Sequence, residues 1–569
     1  MSRLHSRLAN GRFSNKVRPA QSAEHALNIL FIMYDQLRFD YLSCAGHPHL
    51  HTPNIDRLAA MGVRFSRAYA QSPVCGASRM SFYTGRYVHS HGAAWNGFPL
   101  KVGELTLGDH LRKAGMDAVL VGKTHMRVDE DGMERLGLSR DSVIGARVSE
   151  CGFDVHVRDD GLWGKGPAGY YDKGRQSYNE YLKSRGYAGE NPWHDFANSG
   201  LEETGDMASG WFMANAGKAA NIAEEDSETP WLTREAQAFI SADHERPWLC
   251  HLSYIKPHWP YIVPAPYHDM FGAGDILPAV RSKLERQDPH PVYRAFMENQ
   301  IGRAFSRDEV REAVIPAYMG LIRQCDDQLG KLLDFLDESG RLEDTMIVLT
   351  SDHGDYLGDH WLGEKDLFHE QSVNVPLIVY DPTDAADGTR GSVCDELVET
   401  IDLAATFIDA AGGTVPDHIV EGRSLMPFLH GETPPEWRTF AVSEYDYSMT
   451  PMARELDAAP EAARLFMVAD KEWKFVHAPG FRPMLFDLEN DPQELRDVGG
   501  DPEFASTVAM MEDRLKTWAL RPSQRTTMAK DRIIAMRSGG PETGVLIGVY
   551  DADDLPARYS EAYRGRPGR

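Results

Sequence analysis

The stretch NILFIMYDQ, Asn28–Gln36, decides the fold. It is a continuous apolar run closed by an acid and an amide, with none of the alternation expected of a strand that has one wet face. Such a run suits a strand buried on both faces, the habit of parallel sheets. Four more runs share the texture: DAVLVG from Asp117, PWLCHLSY from Pro247, TMIVLTS from Thr345 and VPLIVY from Val375. Helix-like patterns lie between them, among them TPNIDRLAAMG from Thr52 and YMGLIRQCDDQLGKLLDFLDESG from Tyr318, the second closed by Gly340. The alternation predicts an α/β architecture with a mostly parallel central sheet flanked by helices.

Working outward, the 569 residues suffice for one large domain and a smaller one. Residues 128–245 are rich in Gly, Asp and aromatics such as Trp163, Tyr170, Tyr171 and Trp193, and read as an insertion near the sheet's edge within a catalytic domain over 27–430. From residue 431 to 530, RTFAVSEY, RLFMVAD and EWKFVHA predict a small antiparallel sheet, followed by a helix near Glu503–Leu520. Residues 1–26 form a basic arm without the apolar core of a signal peptide, and 531–569 a tail whose run GVLIGVY needs a strand partner. That tail predicts a homo-oligomer, dimer or tetramer. The 85 acidic against 60 basic side chains, net −25, argue against nucleic acid and anionic lipid as partners. Six widely spaced cysteines form no framework and read as reduced thiols; with no membrane-spanning run, this places the chain in the cytoplasm.

Chemistry-bearing residues fall at the ends of the strands. Asp35 and Gln36 close the first run, and Asp352 and His353 follow TMIVLTS. Open α/β sheets bind ligands at that edge, and this donor set suits a divalent cation harder than zinc's usual N/S shell prefers. Either pair alone also occurs as an ordinary hydrogen-bonded couple; their shared edge is what favours the metal. Lys123 and His125 in GKTH, His258 in YIKPHWP and Lys365 in GEKDLFHE bring cations and proton donors to the same edge. Cys75 and Arg79 in CGASR stand one turn apart where a helix begins, a place that attracts anions through its free N–H groups. The run HPHLH, with His47, His49 and His51, fits no zinc geometry and reads as surface or packing.

Taken together, CGASRMSFYTGR, GKTH, PHWP, SDHGD, GRSLMPFLHG and LFDLENDPQEL resemble the type I sulfatases of the alkaline phosphatase superfamily. The likeness is strongest to the branch of phosphonate monoester hydrolases, bacterial arylsulfatases and choline sulfatases. The resemblance implies an alkaline-phosphatase-like fold and oxidation of Cys75 to formylglycine by a separate formylglycine-generating enzyme. It implies that Asp35, Gln36, residue 75, Asp352 and His353 ligate one divalent metal, Mn2+ or Ca2+. It places Asn96 near the substrate oxygens, Arg79 and Lys123 against the charge that develops on them, His258 and Lys365 on the leaving-group side, and His125 as the base that releases product. Ala77 stands where proline is the commoner choice. The Lys123–His125 pair is more sulfatase-like than the neutral pair of phosphonate hydrolases.

The expected activity is hydrolysis of aryl or small alkyl sulfate monoesters, promiscuous towards related esters. The competing readings are a phosphonate monoester or phosphodiester hydrolase and, from another class, a metal-binding scaffold in which Cys75 stays a thiol.

Overall fold

The computed structural model describes residues 27–139, 142–161, 177–523, 527–538, 550, 551 and 553. The basic arm 1–26, the run GVLIGVY up to residue 549 and the aromatics Trp163, Tyr170 and Tyr171 lie outside them.

An eight-stranded sheet contains β1 (Asn28–Asp35), β2 (Val63–Phe65), β3 (Asp117–Gly122), β4 (Asp154–Arg158), β5 (Trp248–Pro257), β6 (Thr345–Ser351), β7 (Leu377–Tyr380) and β8 (Ser392–Cys394), in the order β8-β2-β7-β6-β1-β5-β3-β4. The five strands β6, β1, β5, β3 and β4 run parallel. The VPLIVY run departs from its parallel neighbours: β7 is antiparallel to both β6 and β2.

Every residue of β1 is buried, and the two-residue period divides its side chains between two cores. Leu30, Ile32 and Tyr34 join one apolar cluster, and Ile29, Phe31 and Met33 the other. Each fully buried side chain of this size contributes about 1.5–3 kcal/mol, so helices are needed on both faces. Helix α1 (Cys75–Thr84) packs Met80, Phe82 and Tyr83 on the second face. Helix α2 (Glu228–Ser241) and the 31-residue α3 (Asp308–Glu338) cover the first. The segment 128–245 therefore supplies the sheet's own edge strand β4 and the covering helix α2, rather than only overlying the edge.

A separate four-stranded antiparallel meander follows: β9 (Ala441–Asp446), β10 (Arg464–Ala469), β11 (Trp473–His477) and β12 (Met484–Asp487). Helix α4 (Ala505–Ala519) buries Met511, Leu515 and Trp518 against it. All six cysteines are free, and no helix among the described residues is long and apolar enough to cross a membrane.

Candidate active site

Parallel register makes the site. Tyr34 of β1 lies opposite Ser351 of β6, Asp35 opposite Pro257 of β5, and Gly122 of β3 opposite Ser253 of β5. The residues after each strand therefore emerge at one edge, where Asp35, Asp352 and His353 are wholly buried. Gly122 has φ +113°, and a Cβ there would lie 2.1 Å from the Ser253 carbonyl oxygen, so only glycine lets β3 approach closely enough to deliver Lys123.

Helix α1 brings the remaining piece. Val74 is extended, Gly85 ends the helix in the left-handed region, and all ten helical residues are buried. Cys75 Sγ lies 3.0 Å from His353 Nε2, 3.1 Å from Lys365 Nζ and 3.9 Å from Asp35 Oδ1. Ligand atoms of Asp35, Cys75, Asp352 and His353 all lie within 4.8 Å of one another. His353 donates through Nδ1 to the Gly354 carbonyl at 2.9 Å, which leaves Nε2 for the centre.

Gln36 tests whether a cation fits. It adopts φ +69°, a strained conformation for a residue with a side chain. Its amide Nε2 donates to Tyr261 Oη at 3.1 Å and Asp355 Oδ2 at 2.5 Å, while Oε1 is buried with no hydrogen-bond partner. An orphaned buried carbonyl beside two carboxylates and an imidazole is the donor set of a hard divalent cation, and these residues fit one.

Arg79 is wholly buried, and its guanidinium is committed to the protein. Nε donates to Asp352 Oδ2 at 2.8 Å, one terminal nitrogen to Asp35 Oδ2 at 3.1 Å, and the other to Ser253 Oγ at 2.7 Å and the Lys123 carbonyl at 3.1 Å. This corrects the expectation that Arg79 meets substrate oxygens: it ties the two carboxylates together, one turn along the helix from residue 75. Asn96 is likewise partly occupied, because its Oδ1 accepts from the Gly76 N–H at 2.7 Å, leaving its amide nitrogen for a ligand.

The charges respond to this packing. Burial works against the ionised form of Asp35, but Lys123, His258, Arg79 and His353 together hold it well below the usual carboxylate range. Burial and Asp35 oppose the Cys75 thiolate, yet Lys365, His353 and Lys123 bring the thiol below its ordinary value. His353 is pushed up to about 9, burial being outweighed by Asp352 and Cys75. Burial and then Lys123 drive the His125 pKa well below its ordinary value, which keeps the ring neutral.

A cavity of about 330 Å3 reaches Lys123, His125, His258 and Lys365 of these groups. Asn96, Lys123, His125, His258 and Lys365 line its polar end, and Trp95, Trp193, Trp259, Met449 and Met452 its apolar walls. The two methionines come from the segment between β9 and β10, so the small sheet contributes to the site. His125 is anchored by its backbone N–H to Asp160 Oδ1 at 2.8 Å, and His258 Nδ1 meets the Trp259 carbonyl at 2.6 Å. Glu364 and Asp366, at φ +57° and +105°, flank Lys365 in the tight loop that delivers it. His47 is buried and accepts the Leu50 N–H through Nδ1 at 2.9 Å, while His49 and His51 are exposed, the packing and surface roles expected of HPHLH.

The model of the sulfatase family matches residues 27–413. The chain belongs to the sulfatase family. A second model, N-sulphoglucosamine sulphohydrolase, C-terminal, matches residues 358–521 of this sulfatase. The multifunctional alkaline phosphatase superfamily protein PehA of Trinickia caryophylli is 30% identical over 523 residues, 88% of this chain and 96% of its own. The arylsulfatase of Clostridium perfringens is 28% identical over 492 residues, 84% and 92% of the two chains. The solved phosphonate monoester hydrolase SpPMH of Silicibacter pomeroyi superimposes with a TM-score of 0.77 at 28% identity, covering 88% of this sulfatase and 96% of its own chain. The enzyme class that accompanies the family is sulfuric ester hydrolase.

Proposed function

We propose that this sulfatase hydrolyses aryl or small alkyl sulfate monoesters with formylglycine at position 75 as the nucleophile. The observation that carries the reading is the place of Cys75: a buried sulfur at the helix start, between His353, Asp35 and Lys365, the last of which lines the cavity. The thiol stands in for the hydroxyl groups that hydrated formylglycine, made by a formylglycine-generating enzyme, would place there.

Asp35, Gln36, Asp352 and His353, with residue 75, would hold one divalent cation, Mn2+ or Ca2+, and that cation would supply Lewis acidity towards oxygen. One geminal hydroxyl gives its proton to solvent and attacks sulfur, the bond between sulfur and the ester oxygen breaks, and that oxygen departs with a proton. Lys123, which lines the cavity, offsets charge on the sulfuryl oxygens, and Lys365, whose cationic form Glu364 favours against burial, stands on the leaving-group side. Burial lowers the His258 pKa while Asp35 and the Trp259 carbonyl favour its charged form; as the imidazolium, with Nε2 4.0 Å from Asp35 Oδ1, His258 gives the leaving oxygen its proton and is left neutral. His125 takes the proton of the second hydroxyl, the carbon–oxygen bond to sulfate breaks, and the aldehyde returns.

The likeness to SpPMH supports a second activity, because a phosphonate monoester also presents one negative charge on a tetrahedral centre. Parallel kcat/KM measurements on an aryl sulfate, phosphonate and phosphodiester sharing one phenol test the assignment. The sulfate should lead; a phosphonate lead of about tenfold or more, roughly 1.4 kcal/mol of transition-state preference, would overturn it. The six free cysteines fit a reducing cytoplasm, where we place the protein. Assembly as a dimer or tetramer through residues 539–569 completes the reading, and light scattering on the chain ended at residue 538 tests it: an unchanged oligomer excludes the tail.

A further inference from the structure

We propose that Lys256 is a positioning residue that sets the orientation of His258 by tying together the turn that carries it. Lys256 stands near the end of β5 and is only 5% exposed. Its ammonium donates to Asn198 Oδ1 at 2.8 Å, to the Pro260 carbonyl at 3.1 Å and to the His258 carbonyl at 3.4 Å. No carboxylate among the described residues lies within ion-pair distance of it. An ammonium taken out of water and given only neutral acceptors is costly to keep, so packing alone does not account for it.

The acceptors indicate what it does. Two are carbonyls that bracket Trp259, and the Trp259 carbonyl is the group that holds His258 Nδ1 at 2.6 Å. Fixing the carbonyls on either side fixes that peptide, and with it the direction in which His258 presents Nε2 towards Asp35. The third acceptor, Asn198, bonds through its amide to the Trp193 carbonyl at 3.1 Å, so the same ammonium joins the turn to the Trp193 wall of the cavity. Burial lowers the Lys256 pKa while the more distant Glu228 opposes that shift.

The inference rests on the reading of His258 as the leaving-group proton donor, and the test separates the two. In the mature metal-loaded enzyme, kcat and KM are measured over a series of aryl esters whose phenols differ in acidity, for wild type, Lys256→Met, His258→Ala and the double variant. Both single changes should lower kcat by about tenfold or more on the poorest leaving group and little on the best, with KM within about twofold. The double variant should be no steeper than His258→Ala, and Lys256→Arg should recover part of the loss. Asn198→Ala, which leaves the two carbonyl contacts, should give an intermediate slope and carries the test if Lys256→Met does not fold. A uniform loss across the series in Lys256→Met, or an additive double variant, overturns the role of Lys256 alone. A flat series in His258→Ala overturns the reading of His258, and this inference with it.

Discussion

Arg79→Met should destabilise the metal-free protein by about 3 kcal/mol, near the low end of the roughly 3–5 kcal/mol for breaking a buried ion pair. Methionine keeps most of the stem volume but removes a guanidinium that bonds Asp352 Oδ2 and Asp35 Oδ2, all three side chains being wholly buried. The two acids are not left equally bare. Asp35 Oδ2 keeps the Lys123 ammonium, and Asp352 Oδ1 keeps the N–H groups of Gln36 and His353. Only Asp352 Oδ2 loses its sole charged partner, which selects the lower end of the range. At about 1.4 kcal/mol per decade, the folding constant should fall by roughly two orders of magnitude. Urea unfolding followed by tryptophan fluorescence measures this for wild type, Arg79→Met and Arg79→Lys. Lysine should restore only part, because a point charge cannot span two carboxylates as a fork does. A loss below about 1 kcal/mol, the scale of an exposed salt bridge, would refute the claim that Arg79 ties the two strand ends together.

Tyr261→Phe removes the hydroxyl that fixes the Gln36 amide, and should weaken Mn2+ binding by about 10–100-fold in a calorimetric titration; unchanged affinity would take Gln36 out of the ligand set. Cys75→Ser should release about one equivalent of alcohol and then stall, since a simple alkoxide lacks the second hydroxyl; continuous turnover would contradict the release step. Glu444, buried in β9, has its pKa raised by burial to about 8. The folded chain then holds a proton that the unfolded chain has lost, so stability falls as pH rises from about 4.5 to about 8. Glu444→Gln should gain on wild type across that window, by a few kcal/mol at its top, and level off above it. Parallel pH–stability curves for the two proteins would exclude the buried ionisation.

The long strands were legible because runs such as Asn28–Tyr34 are apolar on both faces, and burial of every residue of β1 is the physical counterpart. The short strands Val63–Phe65, Asp154–Arg158 and Ser392–Cys394 carry too few residues, with too mixed a burial, to stand out. The direction of β7 depends on how its connection returns, which composition does not encode. Helix α3 begins at Asp308, ten residues ahead of the pattern from Tyr318, and its buried face from Val314 to Leu336 carries it through Pro316. In the site, the polar residues nearest the strand ends could be read, since parallel strands place them together. What Arg79 bonds depends on how α1 docks across two strands, and no spacing in CGASR reveals that. Tyr261 and Asp160 act by anchoring other residues and belong to no motif, and the place of Asp355 at the end of SDHGD does not reveal that it holds the Gln36 amide. Lys256 had a signal: a lysine near the end of a ten-residue strand buried throughout needs a reason to be there.

In the working enzyme residue 75 should no longer be a cysteine. Mass spectrometry of the tryptic peptide Ala68–Arg79 from an active preparation, coexpressed with a formylglycine-generating enzyme, addresses it directly. The peptide should be lighter than the thiol form by the change from CH2SH to CHO, in a fraction that rises in step with specific activity. Full activity from a preparation in which residue 75 is an intact thiol throughout would contradict it.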